Sequence, residues 1–154
     1  MNLLMISASN TIEMGKQSAS TKVCYLIRDL LTAEGVEESN LTVLPLMEHD
    51  LIPCRLCGKC KDDDLCVYDH NFNQVYDAIK KADAIFLVVP HYATIPAKLT
   101  ILFEKLNEIF YAGWIRDQSF VPLCQNKPVA IIGHGGMPES DQALKYYHDR
   151  LIVP

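Results

Sequence analysis

Short runs of consecutive apolar residues alternate along this chain with longer segments whose apolar positions recur every three or four residues. The runs fall at residues 3–6, 41–46, 84–89 and 128–132. Such short runs, bounded by turn signals, predict strands buried on both faces, the pattern of a parallel sheet. Between the first two, Val23, Leu26, Ile27, Leu30 and Leu31 predict a helix that starts near Ser18-Ala19-Ser20-Thr21 and stops at Gly35. Phe72, Val75, Tyr76 and Ile79 predict a second helix over 72–82. Leu99, Leu102, Phe103, Leu106 and Phe110 predict a third over 97–111. Residues 113–126 read as irregular, and residues 140–151 as a fourth helix with Ser140 as its N-cap.

The repeated order strand–helix predicts an α/β fold: an open parallel sheet with helices on both faces, in three layers α/β/α. A length of 154 residues fits one domain spanning 1–154. Small doubly wound domains carry a fifth strand and helix. This chain ends where they are due, so it is either naturally short or C-terminally truncated.

Charge and composition narrow the partners. The net charge of −5 argues against nucleic acid or an anionic membrane. No apolar run approaches the roughly 18 residues of a membrane span. The first ten residues have no basic region ahead of their apolar run and do not read as a signal peptide. The expected location is cytoplasmic, where reducing conditions keep thiols available.

Thiols are what the chain has in unusual density. Cys54, Cys57, Cys60 and Cys66 follow the spacing C-x2-C-x2-C-x5-C. A bacterial iron–sulfur run begins the same way. Four sulfurs this close can surround one soft inorganic centre. Three other readings stand beside an iron–sulfur cluster: a zinc site, although zinc favours ligand pairs separated by a longer loop; disulfides, although these would close very small loops; and a cysteine-rich loop that holds no metal. Asp62, Asp63 and Asp64 read as a solvated turn; beside a cluster their charge would instead lower its potential. Cys24 lies on a helical face and reads as core; Cys124 has no assigned role.

Ligands of open α/β sheets bind beyond the carboxyl ends of the strands. Three loops qualify. Residues 7–21 lack G-x-G-x-x-G and the P-loop lysine. They are rich in hydroxyls just before a helix, where backbone N–H groups attract phosphate; ordinary capping serines in a solvated loop are the other reading. Residues 90–96, Pro-His-Tyr-Ala-Thr-Ile-Pro, form a stiff loop with an aromatic face, suited to a flat heterocycle. His91 alone reads as structural or solvent-facing. Residues 133–137 are glycine-rich and permit close approach of a ligand to the backbone.

These three loops and the cysteine run, in this order, resemble the NADPH-dependent FMN reductase superfamily of flavodoxin-like fold, and within it most resemble the iron–sulfur flavoproteins. Ala8-Ser9-Asn10-Thr11 stands at the family's G-S-P-R-type turn, and Ser20-Thr21 at its N-T helix start. Cys66-Val67-Tyr68-Asp69-His70 follows the three-cysteine run, with His70 in place of a second aspartate. Val89-Pro90-His91-Tyr92 stands at S-P-V-Y, and Gly135-Gly136 at the glycine pair.

The resemblance implies FMN, with its phosphate on Ser9, Ser18, Ser20 and Thr21. It implies a ring resting on Pro90, His91, Tyr92, Ala93, Thr94 and Ile95 and on Gly133, His134, Gly135 and Gly136. It implies a 4Fe-4S cluster on Cys54, Cys57, Cys60 and Cys66, with NAD(P)H as co-substrate and no side chain needed as acid or base. It implies a homodimer or homotetramer that passes electrons to a small-molecule or protein acceptor. A flavodoxin-like electron carrier or metal-binding module without enzymatic activity is the alternative reading.

Overall fold

The computed structural model describes residues 1–91, 95–121 and 125–136. Along them run β1 (Leu3–Ser7), α1 (Ala19–Ala33), β2 (Leu41–Pro45), α2 (His70–Lys81), β3 (Ala84–Pro90), α3 (Ala97–Arg116) and β4 (Val129–His134). The expected helix over 140–151, together with Tyr92, Ala93, Thr94 and Cys124, lies outside the described residues.

The four strands form one all-parallel sheet in the order β2-β1-β3-β4. This is the flavodoxin-like order as far as it extends. The chain first steps from β1 to β2, then crosses back past β1 to β3. Because parallel crossovers are right-handed, the reversal puts α1 on one face of the sheet and α2 and α3 on the other. Alternation along β1 serves both layers. Leu3 and Met5 pack with Cys24, Val23, Ile27 and Leu31 of α1. Leu4 and Ile6 pack with Phe72, Val75 and Ile79 of α2 and with Leu99, Leu102 and Ile109 of α3.

The predicted face of α2 is borne out: Phe72, Val75, Tyr76 and Ile79 are all buried. Those of α1 and α3 need correction. On α1, Leu26 is 57% and Leu30 58% exposed, and the inner row is Ser20, Cys24, Ile27 and Leu31. On α3 the buried row is Leu99, Leu102, Lys105, Ile109, Ala112 and Gly113, while Phe103 and Phe110 face outward. The cause on α3 is a core position taken by a lysine whose charge is met by an aspartate, described below.

Two boundaries also move. α3 continues to Arg116 through Gly113, inside the segment read as irregular. Glycine at 113 gives room to a neighbouring ring: an added Cβ would lie 2.6 Å from Cε1 of Phe120. β4 continues through Gly133 and His134, which read from sequence as loop. They pair with Val89 and Pro90 of β3. β4 ends the described sheet with Val129 and Ile131 exposed.

Candidate functional site

The carboxyl ends of β1, β3 and β4 come together at one edge of the sheet. β1 leaves through Ser7 and Ala8, and the Ala8 N–H donates to the Val88 carbonyl at 2.9 Å. The chain then wraps one turn of 3-10 helix at Gly15–Gln17 and enters α1 at Ser18. Ser18 is an N-cap, with extended backbone and a side chain that accepts from the Thr21 N–H. This is the role its position before a helical apolar pattern implies.

A chain of buried hydroxyls lines this entry. Thr21 Oγ1 lies 2.8 Å from Ser7 Oγ and 2.8 Å from Ser18 Oγ. Ser9 Oγ lies 2.6 Å from Thr11 Oγ1. Ser7, Ser9, Ser18, Ser20 and Thr21 are all buried, and the first turn of α1 carries no acidic residue. The side-chain oxygen of Asn10 is buried without a hydrogen-bond partner among the described residues. Buried polar atoms of this kind ordinarily have partners, so the orphan acceptor marks a place where a ligand hydroxyl fits.

The third loop joins the first through a side chain. His134 shares a face of β4 with Ile132, which packs on the α1 side of the sheet. That placement brings its Nε2 to 2.8 Å from Ser20 Oγ. Burial pushes the His134 pKa below its ordinary value, so the ring is neutral at pH 7 and serves the serine hydroxyl as hydrogen-bond partner. The second loop joins the third through backbone: the His91 N–H donates to the His134 carbonyl at 2.8 Å. A Cβ on Gly135 would lie 3.1 Å from His91 Cβ, so a glycine lets these two segments approach. Ser9, Ser18, Ser20, Thr21, Pro90, His91, Gly133, His134, Gly135 and Gly136 thus belong to one edge of the sheet. The hydroxyls, the helix N-terminus and the absence of an acid in its first turn fit the phosphate of a mononucleotide.

The cysteine loop is held mainly by α2 and α3. Lys98 Nζ donates to the carbonyls of Met47 and His49 at 3.1 and 2.6 Å and fixes the entry. The Cys54 N–H donates to Glu104 Oε2 at 3.0 Å. Asn73 clamps Cys66 on both sides: its Oδ1 accepts from the Cys66 N–H and its Nδ2 donates to the Cys66 carbonyl. The loop itself turns sharply. Gly58 has φ +67° and Leu56 has φ +50°, a left-handed conformation unusual for leucine. Asp64 pairs with Arg116 at 3.1 Å, and Asp63 accepts from the Leu65 N–H, so two of these three aspartates have partners within the protein.

Cys54, Cys57, Cys60 and Cys66 line one cavity together with Ile52, Phe72, Lys105 and Ile109. All four are free thiols, Cys57 exposed and the others half-buried. Burial pushes the Cys60 thiol up, and the charges of Cys54, Cys57 and Cys66 push it further. Among the described residues no three His, Cys, Asp or Glu side chains converge closely enough to grip one metal ion. As a donor set, four soft sulfurs around one partly apolar cavity fit an iron–sulfur centre. Cys24, by contrast, is fully buried in the α1 layer and its pKa is pushed up to about 12, as expected of a core residue.

Beside Cys66 lies a residue to which the sequence reading gives no site role. Lys105, 3% exposed, brings Nζ to 3.4 Å from Cys66 Sγ, 3.2 Å from Asp69 Oδ2 and 5.2 Å from the centre of the Phe72 ring. Asp69 is equally enclosed. It caps α2 by accepting from the Phe72 N–H and also accepts from the Ile52 N–H. The available signal was Lys105 standing between Leu102 and Ile109 at helical spacing.

Comparison with known proteins identifies the family. The family model described as NADPH-dependent FMN reductase matches residues 1–148. An iron-sulfur flavoprotein of Methanosarcina thermophila is 29% identical over 111 residues, covering 70% of this chain and 54% of that protein. An iron-sulfur flavoprotein of Methanocaldococcus jannaschii is 27% identical over 94 residues, covering 60% and 49%. The chain thus spans about half the length of the curated relatives it matches. Among the described residues no helix is long and apolar enough to cross a membrane. With a model match along nearly its whole length and the parallel sheet order to accompany it, this chain belongs to the NADPH-dependent FMN reductase family.

Proposed function

We propose that the chain is an FMN-binding oxidoreductase that takes electrons from NAD(P)H and bears an iron–sulfur cluster on Cys54, Cys57, Cys60 and Cys66. The observation that carries the flavin is the edge where three strand ends meet, tied by the 2.8 Å contact of Ser20 with His134. Such an edge, at the point where strand order reverses, is the binding place of open α/β sheets.

Bound FMN supplies the hydride and one-electron chemistry. The chain's own groups hold it. The hydroxyls of Ser9, Ser18, Ser20 and Thr21 and the first N–H groups of α1 receive the phosphate, the positive end of the helix dipole favouring its charge. Asn10 Oδ1, buried without a partner among the described residues, would be placed to accept from a hydroxyl of the bound mononucleotide. Pro90, His91 and Ile95 on one side and residues 133–136 on the other would flank the ring, as the resemblance implies.

The spacing C-x2-C-x2-C-x5-C favours a cluster over a single tetrahedral zinc, which usually takes ligand pairs separated by a longer loop. The relatives' printed name, iron-sulfur flavoprotein, supports the same choice.

Protein purified without oxygen tests the proposal by its absorption spectrum, with iron and acid-labile sulfide assayed on the same sample. Flavin bands with iron and sulfide in equal amounts support both cofactors. Flavin without iron removes the cluster and leaves the flavin. Neither chromophore after adding FMN overturns the reading. NADPH and NADH oxidation with FMN bound then separates a reductase from a carrier; a flavin-loaded protein that oxidises neither is not a reductase.

A further inference from the structure

We infer that Lys105 is a positioning residue for the cysteine centre, one that sets its reduction potential through Cys66. The inference rests on the cluster reading above and goes beyond it. A lysine ammonium is rarely taken out of water, because the lost hydration costs several kcal/mol unless opposite charge and hydrogen bonds replace it. Lys105 is buried in the core row of α3, a position where its helical neighbours Leu102 and Ile109 are apolar. Among the described residues its carboxylate partner is Asp69 and its other close polar neighbour is Cys66 Sγ. Asp69 is itself held by two backbone N–H groups. Asn73 holds the Cys66 backbone from both sides, so both partners are anchored beside the ammonium.

The direction of its effect follows from electrostatics. A cluster ligated by four thiolates becomes more negative by one charge when it takes up an electron. A hydrogen bond donated to a ligand sulfur, and a cation in a site of low dielectric, stabilise that added charge. Potentials of such clusters are set by hydrogen bonds to the sulfurs and by solvent exposure. Lys105 supplies both the hydrogen bond to Cys66 Sγ and the nearby positive charge, and therefore raises the potential, less the part that the Asp69 charge offsets. The electron comes from a chemical reductant, dithionite in the test below, and Lys105 neither forms a bond nor gives up a proton.

The test is a mediated redox titration of the cluster-loaded protein, read by low-temperature paramagnetic resonance, for wild type, Lys105→Met, Lys105→Arg and the double variant Lys105→Met/Asp69→Asn. The double variant leaves no lone buried charge and guards against a folding failure of Lys105→Met. Iron and sulfide are assayed on each. We expect full iron and sulfide in the double variant, a midpoint lowered in Lys105→Met by at least a factor of ten in the one-electron equilibrium, about 59 mV, and a smaller lowering in the double variant, where loss of the Asp69 charge offsets part of it. In Lys105→Arg the midpoint returns towards wild type. A wild-type midpoint in the Lys105→Met and double variants overturns the inference while the cluster stands. Loss of iron from every variant, with wild type loaded, shows a merely structural role and also overturns it. Wild type without iron and sulfide removes the cluster reading instead.

Discussion

Oγ of Ser20 and Nε2 of His134 lie 2.8 Å apart although 114 positions separate the residues. One opens α1 and the other closes β4, so this contact joins two of the three loops that surround the proposed flavin. Ser20→Ala removes the hydroxyl that both His134 and a phosphate would use. A hydrogen bond to a charged group is worth about 1.5–3 kcal/mol, so FMN should bind roughly 10- to 100-fold more weakly. Fluorescence titration of FMN against the apoprotein measures this. Unchanged affinity would place the phosphate elsewhere.

The same histidine makes stability depend on pH. Burial lowers the His134 pKa. For His49 burial is again the larger cause, and the charge of Lys98 adds to it while Glu48 opposes. The unfolded chain takes up these protons near the ordinary value of 6.5, and the folded chain only at lower pH. Unfolding therefore gains protons below about 6.5, and stability is full above that value and falls as pH drops through and below it. Urea midpoints of the apoprotein between about pH 8 and pH 5 should decline in that window. His134→Gln and His49→Gln should each flatten part of the decline; a curve identical in the double variant would assign the dependence to other groups.

The sheet and α2 were legible in the sequence because their positions follow hydrophobicity alone. Leu3, Met5, Leu4 and Ile6 alternate between two buried layers, and a short apolar run says as much without saying which layer is which. The rotation of α3 was not legible, since Lys105 reads as a polar residue until Asp69, 36 positions earlier, is known to meet it. The cysteine spacing is local and was read directly. The Ser20–His134 contact is long-range, and only the strand order brings it about.

Asp69 offers a stability test of that hidden pair. Asp69→Ala removes the α2 cap, the bond to the Ile52 N–H and the counter-charge of a buried lysine. Breaking a buried pair from one side costs about 3–5 kcal/mol, and loss of the cap adds to it by about 1 kcal/mol. Urea unfolding of the iron-free protein should show a large loss, with Asp69→Asn milder because asparagine caps as well. A loss below about 1 kcal/mol for the alanine variant would mean that Lys105 escapes to water.

Lys127 closes α2 at its other end. Its Nζ donates to the carbonyls of Ile79, Lys80 and Ala82, acceptors left open where a helix stops. A cation there also meets the negative end of the helix dipole. Lys127→Met keeps the aliphatic stem and removes the ammonium, and should cost about 1–2 kcal/mol, a lower melting temperature with unchanged FMN affinity. A change confined to FMN binding would contradict this capping role.

Cys57 separates the two proposed sites. It is exposed, so Cys57→Ser should change the stability of the iron-free protein by less than about 0.5 kcal/mol. Its sulfur is nonetheless one of four around the cavity, and serine is a poor ligand for iron in such a centre. The variant should lose most iron and sulfide while FMN affinity stays at the wild-type value, because the hydroxyl edge and the cysteine loop share no residue. Cys66 is a sharper case, since it packs against the main core and is clamped by Asn73. Cys66→Ser should lose iron and some stability together. Loss of FMN from Cys57→Ser with iron retained would contradict both site assignments at once.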